Sequence, residues 1–250
     1  MLDALKRLIS RHPPVAEWTA LAQWARDHKM SFKRVRDEEG FVIDGGLASK
    51  PWRLEWGPPQ RQYIEGQELR LRMDVGLSPD LQMLVLSQNL FETLESSTFD
   101  SFTETTQTVM DNNTPEEMRW LVMFPQATCK VSKVVRAHFH LVGSSPLEAA
   151  NWFEGELAQR LESATSGFLK DEPPFMLMVL RGRVYLRLQL SRPDVASVSQ
   201  AVAVFETAVL QAIRMGSVAS DAPGWHHSDA QTAWQNQLGP EDPTDGPGPH

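Results

Sequence analysis

A lone cysteine, Cys129, excludes an intramolecular disulfide in this 250-residue chain and fits a reducing compartment. No apolar run exceeds the six residues from Phe175 to Leu180, whereas a bilayer span needs about 20. The opening residues, Met1 to Arg11, mix charged and apolar side chains and lack the continuous apolar stretch of a signal peptide. A cytoplasmic protein without a membrane span is therefore expected. Basic excess is missing too, because 24 Lys and Arg face 32 Asp and Glu, a net charge of -8. Nucleic-acid binding draws on positive charge and is not expected.

Signatures of chemistry are equally scarce. Gly45-Gly46 and Gly57-Pro-Pro59 read as turns, and no Gly-rich loop of the phosphate-binding kind appears. Gly143-Ser-Ser145 lacks the second glycine of a nucleophile elbow. Ser145 is better used as a helix cap. No cofactor and no catalytic residue is expected, and the chain reads as non-enzymatic.

What is present is apolar material for a core, 41% of the residues. A folded region of about 200 residues buries roughly 70% of its unfolded surface and needs no metal or disulfide. Composition changes after Met215. Residues 216–250 hold five prolines, five glycines and five acids (Asp221, Asp229, Glu241, Asp242, Asp245), with no Lys or Arg and no Ile, Phe or Met. Such a segment cannot build a core. The expected organisation is a globular unit over residues 1–215, either whole or as two sub-units joined near 96–113, and a flexible acidic tail over 216–250. One island interrupts the tail. Ser228-Asp-Ala-Gln231 is a capping box, and Ala230, Trp234 and Leu238 lie four apart before Gly239-Pro240.

Hydrophobic period sets the fold class. Leu69, Leu71, Met73 and Val75 alternate with Glu68, Arg70, Arg72 and Asp74, the pattern of a strand with one wet face. Trp52, Leu54 and Trp56 alternate with Arg53 and Glu55, and Val184 to Leu190 does likewise after the turn at Arg181-Gly-Arg183. Helical spacing marks residues 2–11, Val15 to His28, Asn89 to Glu95, a segment from Thr114-Pro-Glu-Glu117 to Pro125, Ser145 to Ser163, and Asp194 to Ile213. Val131 to Val142 reads as a strand. Residues 96–113 read as a strand over Thr103 to Met110 or as a long loop. This order predicts an α+β fold, an antiparallel sheet with helices packed on one face.

Few residues suggest a site. His138-Phe-His140 on a strand would point two imidazoles to one face, a spacing that metal sites use. The pair looks like those of cupins and carbonic anhydrases, but Gly143, Ser144 and Ser145 stand where a cupin places its glutamate. The nearest further histidines, His226 and His227, lie in the tail. Two histidines on a wet sheet face, binding no metal, is the favoured reading. Cys129 is a nucleophile candidate beside Lys130 and Lys133, which would lower its pKa, although no partner base is evident. Tryptophan is abundant, eight in 250 residues. Trp18, Trp52, Trp120 and Trp152 fit core stripes, whereas Trp24, Trp56 and the tail's Trp234 are candidates for an interaction surface. Arg53, Arg70 and Arg72 make a basic stripe, with Glu55, Glu68 and Asp74 interleaved as a self-neutralising network.

Pro51-Trp-Arg-Leu-Glu-Trp-Gly57, with Arg61, Tyr63-Ile64, Gly66 and Glu68 to Arg72 following, resembles conserved-hypothetical proteins of proteobacteria. Phe139-x-Leu-Val-Gly, then Pro146 and a helix, then a hairpin, is similar to the same kind of domain in layout. The resemblance spans much of residues 15–215. It implies a bacterial cytoplasmic origin and transfers no activity and no site residue. The expected function is a protein-interaction or regulatory module that binds a protein partner or itself through a sheet face or edge. The alternative is a small-molecule-binding protein or enzyme with a pocket between sheet and helices.

Overall fold

The computed structural model describes residues 15–35, 39–104 and 116–221. The helix expected over residues 2–11 and the Trp234 segment lie outside the described residues. In chain order the elements are α1 (Val15–Asp27), β1 (Ser31–Arg34), β2 (Phe41–Leu47), β3 (Lys50–Gly57), β4 (Glu68–Asp74), β5 (Met83–Ser87), α2 (Gln88–Glu104), α3 (Glu116–Met123), α4 (Lys133–His138), β6 (Phe139–Gly143), α5 (Pro146–Phe153), α6 (Glu156–Thr165), β7 (Phe175–Leu180), β8 (Arg183–Gln189) and α7 (Val195–Asp221).

The strands form one antiparallel sheet in the order β1-β2-β3-β4-β8-β7-β5-β6. The β7–β8 hairpin inserts between β4 and β5, so strands from before and after residues 96–113 interleave. Arg181 and Gly182 both have positive φ, 50° and 75°, the backbone that a two-residue hairpin turn requires. The loop after β4 crosses this turn. Val75 N–H donates to the Gly182 carbonyl at 3.0 Å, and a Cβ on Gly182 would stand 2.8 Å from the Leu77 carbonyl oxygen. Glycine is required there for space as well as conformation.

Register places Leu54, Leu71 and Leu186 side by side on one face, with Leu177 next to them on β7. All four are at most 1% exposed. Helices α1, α4, α5, α6 and α7 cover this face with Leu21, Val135, Trp152, Leu161 and Phe205, in a single apolar cluster. Two capping residues read from the sequence work as expected, whereas the cap expected at Thr114 lies outside the described residues. Ser145 Oγ accepts from Glu148 N–H at 3.4 Å with Pro146 in the first turn, and Asp194 accepts from Ser197 N–H at 2.7 Å. By length and composition α7 would suffice to cross a bilayer. Its apolar stripe of Val198, Val202, Phe205 and Val209 is instead buried in the core, which accounts for that composition.

The α+β architecture, with its antiparallel sheet and main helical layer on one face, is as the period predicts. Individual elements differ. Residues expected as a strand over Val131 to Val142 divide into α4 and β6, because Ser132 Oγ accepts from Val135 N–H and caps a short helix. The helix expected from Ser145 to Ser163 breaks at Gly155, whose φ is 78°. Helix α2 runs on to Glu104, so Thr103 is helical and no strand begins there.

The second face is divided. Over β5, β6 and β7 it carries Leu84, Leu86, Val142, Met176 and Met178, which α2 and α3 cover with Leu90, Leu94 and Trp120. Over β2, β3, β4 and β8 it is charged, and no described helix packs there.

Candidate functional site

The open half of the second face is a lattice of ion pairs, and period two puts it there. Positions that alternate with the core residues of β2, β3, β4 and β8 are mostly polar, Val42 and Pro51 excepted, and fall on one side. Among the described residues, six cations (Lys33, Arg53, Arg70, Arg72, Arg183, Arg187) pair with four carboxylates (Asp44, Glu55, Glu68, Asp74). The lattice is thus positive by two in a chain of net charge -8.

Register explains which pairs form. Arg53 stands directly across from Arg72, and Arg70 from Arg187. Like charges in those positions repel, so each needs a carboxylate: Arg53 and Arg70 find Asp44 and Glu55 directly across on their other neighbouring strand, and Arg72 and Arg187 find Glu55 and Glu68 diagonally. Glu68, fully buried, bonds the Arg187 guanidinium, receives Arg70 Nη1 at 3.3 Å, and accepts from Gln60 N–H at 2.7 Å. Glu55 takes Arg70 at 3.3 Å and Arg72 at 3.6 Å. Asp44 takes Arg53 at 2.8 Å and Lys33 at 3.4 Å. The Arg53 hydrogen bond holds the Asp44 carboxyl below its usual range, against a smaller upward push from burial.

The lattice therefore has a tight end and a loose end. Arg70 and Arg187 are only 17% and 12% exposed, against 58% for Arg72. At the loose end an open depression of about 440 Å³ is walled by Asp44, Arg53, Arg72, Asp74, Arg183 and Tyr185. A smaller one of about 80 Å³ continues past Arg53 and Arg72 to Glu55, Gln60, Arg70 and Arg187. Exposed ion pairs contribute roughly 0–1 kcal/mol each, so an incoming carboxylate can replace them at little cost.

Where the open half meets the covered half, a buried triad joins them. Glu117 of α3 is fully buried, and its Oε1 accepts from Arg61 Nε at 2.5 Å and from the Tyr63 hydroxyl at 2.7 Å. Burial alone would raise the Glu117 pKa. The Arg61 and Tyr63 hydrogen bonds outweigh it and hold the carboxyl below its usual range. Burial, reinforced by the Glu117 carboxylate, pushes the Tyr63 hydroxyl well above its ordinary value. This triad pins α3 to the loop between β3 and β4. Its members are 54 and 56 residues apart in sequence, and no local pattern flags them.

The residues singled out from the sequence fare unevenly. His138 ends α4 rather than lying on a strand, with Nδ1 2.8 Å from the Val134 carbonyl oxygen and Nε2 3.4 Å from Glu172. His140 is on β6 and stacks on Phe91 of α2, ring centroids 3.6 Å apart, where burial lowers its pKa. The two imidazoles therefore do not share a strand face, and the helix cap at Ser132 is the reason. Among the described residues no group of three His, Cys, Asp or Glu is placed to hold a metal ion. Burial raises the Cys129 thiol, with Glu154 adding to it and Arg136 opposing. The lowering expected from Lys130 and Lys133 is overturned, because burial disfavours the thiolate and the Glu154 carboxylate adds to that. Trp56 is a core residue, 2% exposed, its Nε1 donating to the Leu190 carbonyl at 2.7 Å. Trp24 is half-buried on α1, its ring 5.2 Å from that of His28.

Fold and site together define an α+β protein whose distinguishing surface is the arginine-bearing half of a broad antiparallel sheet that no described helix covers. No protein-family model matches the chain, and no curated protein matches it. Among solved structures the chain is similar to the crystal structure of the mycobacterial trehalose monomycolate transport factor A, TtfA. The identity is 6%, the TM-score 0.45, and the match covers 79% of this chain and 94% of that chain. A likeness this distant carries no argument about function.

Proposed function

We propose that the chain is a cytoplasmic, non-enzymatic protein-interaction module that docks a net-acidic segment of a protein partner on the open half of its sheet. One observation carries this reading. The exposed end of the lattice offers Arg53, Arg72 and Arg183 around an open depression, in a surface positive by two. Guanidinium forks match carboxylates bidentately, and the cations here are already spaced across three strands. The alternative of a pocket between sheet and helices has less support, because Leu54, Leu71, Leu177, Leu186 and Phe205 fill that layer at 0–1% exposure.

The test compares the full chain with an Arg53→Glu/Arg72→Glu variant whose melting temperature is checked first. A protein captured by the wild type is identified, purified and titrated against both forms. The expected result is salt-sensitive binding that charge reversal weakens by roughly 10–100-fold. Equal binding by both forms sinks the reading. So does sedimentation showing that the surface joins two copies of this chain, or salt-dependent retention of non-specific DNA instead of protein.

A further inference from the structure

We infer that the depression at the loose end of the lattice takes a phosphoryl group carried on a side chain of the partner's segment, gripped by Arg53, Arg72 and Arg183. This rests on the docking surface proposed above and narrows the chemistry which that surface selects.

Cross-strand register brings the three cations together. Arg53 on β3 stands directly across from Arg72 on β4, and Tyr185 on β8 stands across from Arg72 on its other side. Arg183 comes two residues before Tyr185 on the same face and is therefore diagonal to Arg72. Opposite neighbours lie about 5 Å apart and diagonal ones about 7–8 Å, so three long guanidinium side chains can converge on one point. All three are exposed. They line the depression of about 440 Å³ together with Asp44, Asp74 and the Tyr185 ring.

The two acids act as clamps. Asp44 Oδ1 accepts from Arg53 Nε at 2.8 Å, and Asp74 Oδ2 accepts from Arg183 Nε at 3.1 Å. Each bond uses one of the five donors of a guanidinium and fixes the side chain at its inner nitrogen. Neither occupies the terminal pair, which can make an end-on fork with an anion. Arg72 is held least. Its ion pair with Glu55, at 3.6 Å, is to a carboxylate that also takes Arg70 at 3.3 Å.

Charge and valence select the ligand. One carboxylate has two oxygens and a single charge, and one guanidinium fork satisfies it. A phosphoryl group presents three acceptor oxygens and close to two charges near neutral pH. That matches three converging guanidinium groups in a lattice of six cations and four carboxylates. Recognition of a phosphorylated side chain by an arginine cluster is a general mode of peptide binding. A nucleic-acid backbone would instead call for a continuous track of cations, and Asp44, Glu55 and Asp74 interrupt any such track here.

Titration of the full chain with short, fluorescently labelled acidic peptide mixtures tests this. The mixtures differ only at the central residue, which is phosphoserine, phosphotyrosine, serine, tyrosine or glutamate. At fixed salt a phosphorylated mixture should bind roughly tenfold or more tightly than its unphosphorylated counterpart and than the glutamate mixture. Arg72→Gln and Arg183→Gln, each with its melting temperature checked, should bring that ratio close to one. Equal binding with and without phosphate overturns the inference. If such binding still weakens in Arg53→Glu/Arg72→Glu, docking of an acidic segment stands without it. A phosphate preference that survives both glutamine substitutions lies elsewhere on the molecule and overturns the inference, as does absence of binding by every mixture. Inorganic phosphate that binds as tightly as the phosphorylated peptides overturns the assignment to a partner's side chain, and so does an oligonucleotide that competes equally well.

Discussion

On one face of a single sheet, β5, β6 and β7 present Leu84, Leu86, Val142, Met176 and Met178, while β2, β3, β4 and β8 present Asp44, Arg53, Glu55, Arg72 and Arg187. The first half is capped by two helices, and no described helix covers the second. The opposite face is the same in both halves, apolar throughout and covered. Alternate residues of a strand therefore decide locally whether a second layer forms. A strand apolar at every position, such as β7, buries both faces, and one that alternates, such as β4, buries one. The boundary is managed by a polar device rather than a gradient, since the Arg61–Glu117–Tyr63 triad holds α3 at the edge of the charged lattice.

The sharpest way to break this comparison is in the covered half. Leu86→Ala deletes a side chain with no exposure and should lower unfolding stability by about 2–5 kcal/mol, measured by chemical denaturation. A loss below about 1 kcal/mol would mean that α2 and α3 are not a true second layer.

The boundary should respond next. Glu117→Gln removes the charge that Arg61 and Tyr63 recognise and should cost about 1.5–3 kcal/mol near neutral pH. This effect depends on acidity in a definite direction. The folded state lowers the Glu117 pKa, so its contribution is complete above the ordinary glutamate range and is lost as pH falls through the folded value. Denaturation curves of wild type and Glu117→Gln should converge on acidification, and a constant gap down to pH 3 would contradict the triad's role.

The open half should hardly respond at all. Arg72→Ala, at a residue 58% exposed with a 3.6 Å contact to Glu55, should change stability by less than about 0.5 kcal/mol. A loss several times larger would make the lattice a structural element rather than a surface available to a partner.

Much of this contrast is legible in the sequence. The alternation over Glu68 to Val75 and over Val184 to Leu190 predicts one wet face, and Arg53, Arg70 and Arg72 are recognisable as interleaved with Glu55, Glu68 and Asp74. Illegible were Arg183 and Arg187 as members of the same lattice, because β8 reaches β4 only through an insertion that brings residues 109 to 119 apart into contact. Glu117 read only as part of a helix start and proves to be a buried ion-pair partner. His138 and His140 misled for a local reason, since Ser132 starts a helix in a stretch whose residue types also suit a strand. Trp56 suggested a surface and sits in the core, because Leu190 supplies a carbonyl for its indole N–H.

By itself the sequence determined most of the elements and the wet and dry sides of the alternating strands, because side-chain period and capping hydroxyls act within a few residues. The order of the strands, the facing of Arg53 by Arg72 and of Arg70 by Arg187, and the burial of Glu117 were decided only in the tertiary structure. Those depend on which strand lies beside which, and on a carboxylate meeting distant guanidinium and hydroxyl groups away from water. There a charge is stable only with partners in place, and no local window of residues contains them.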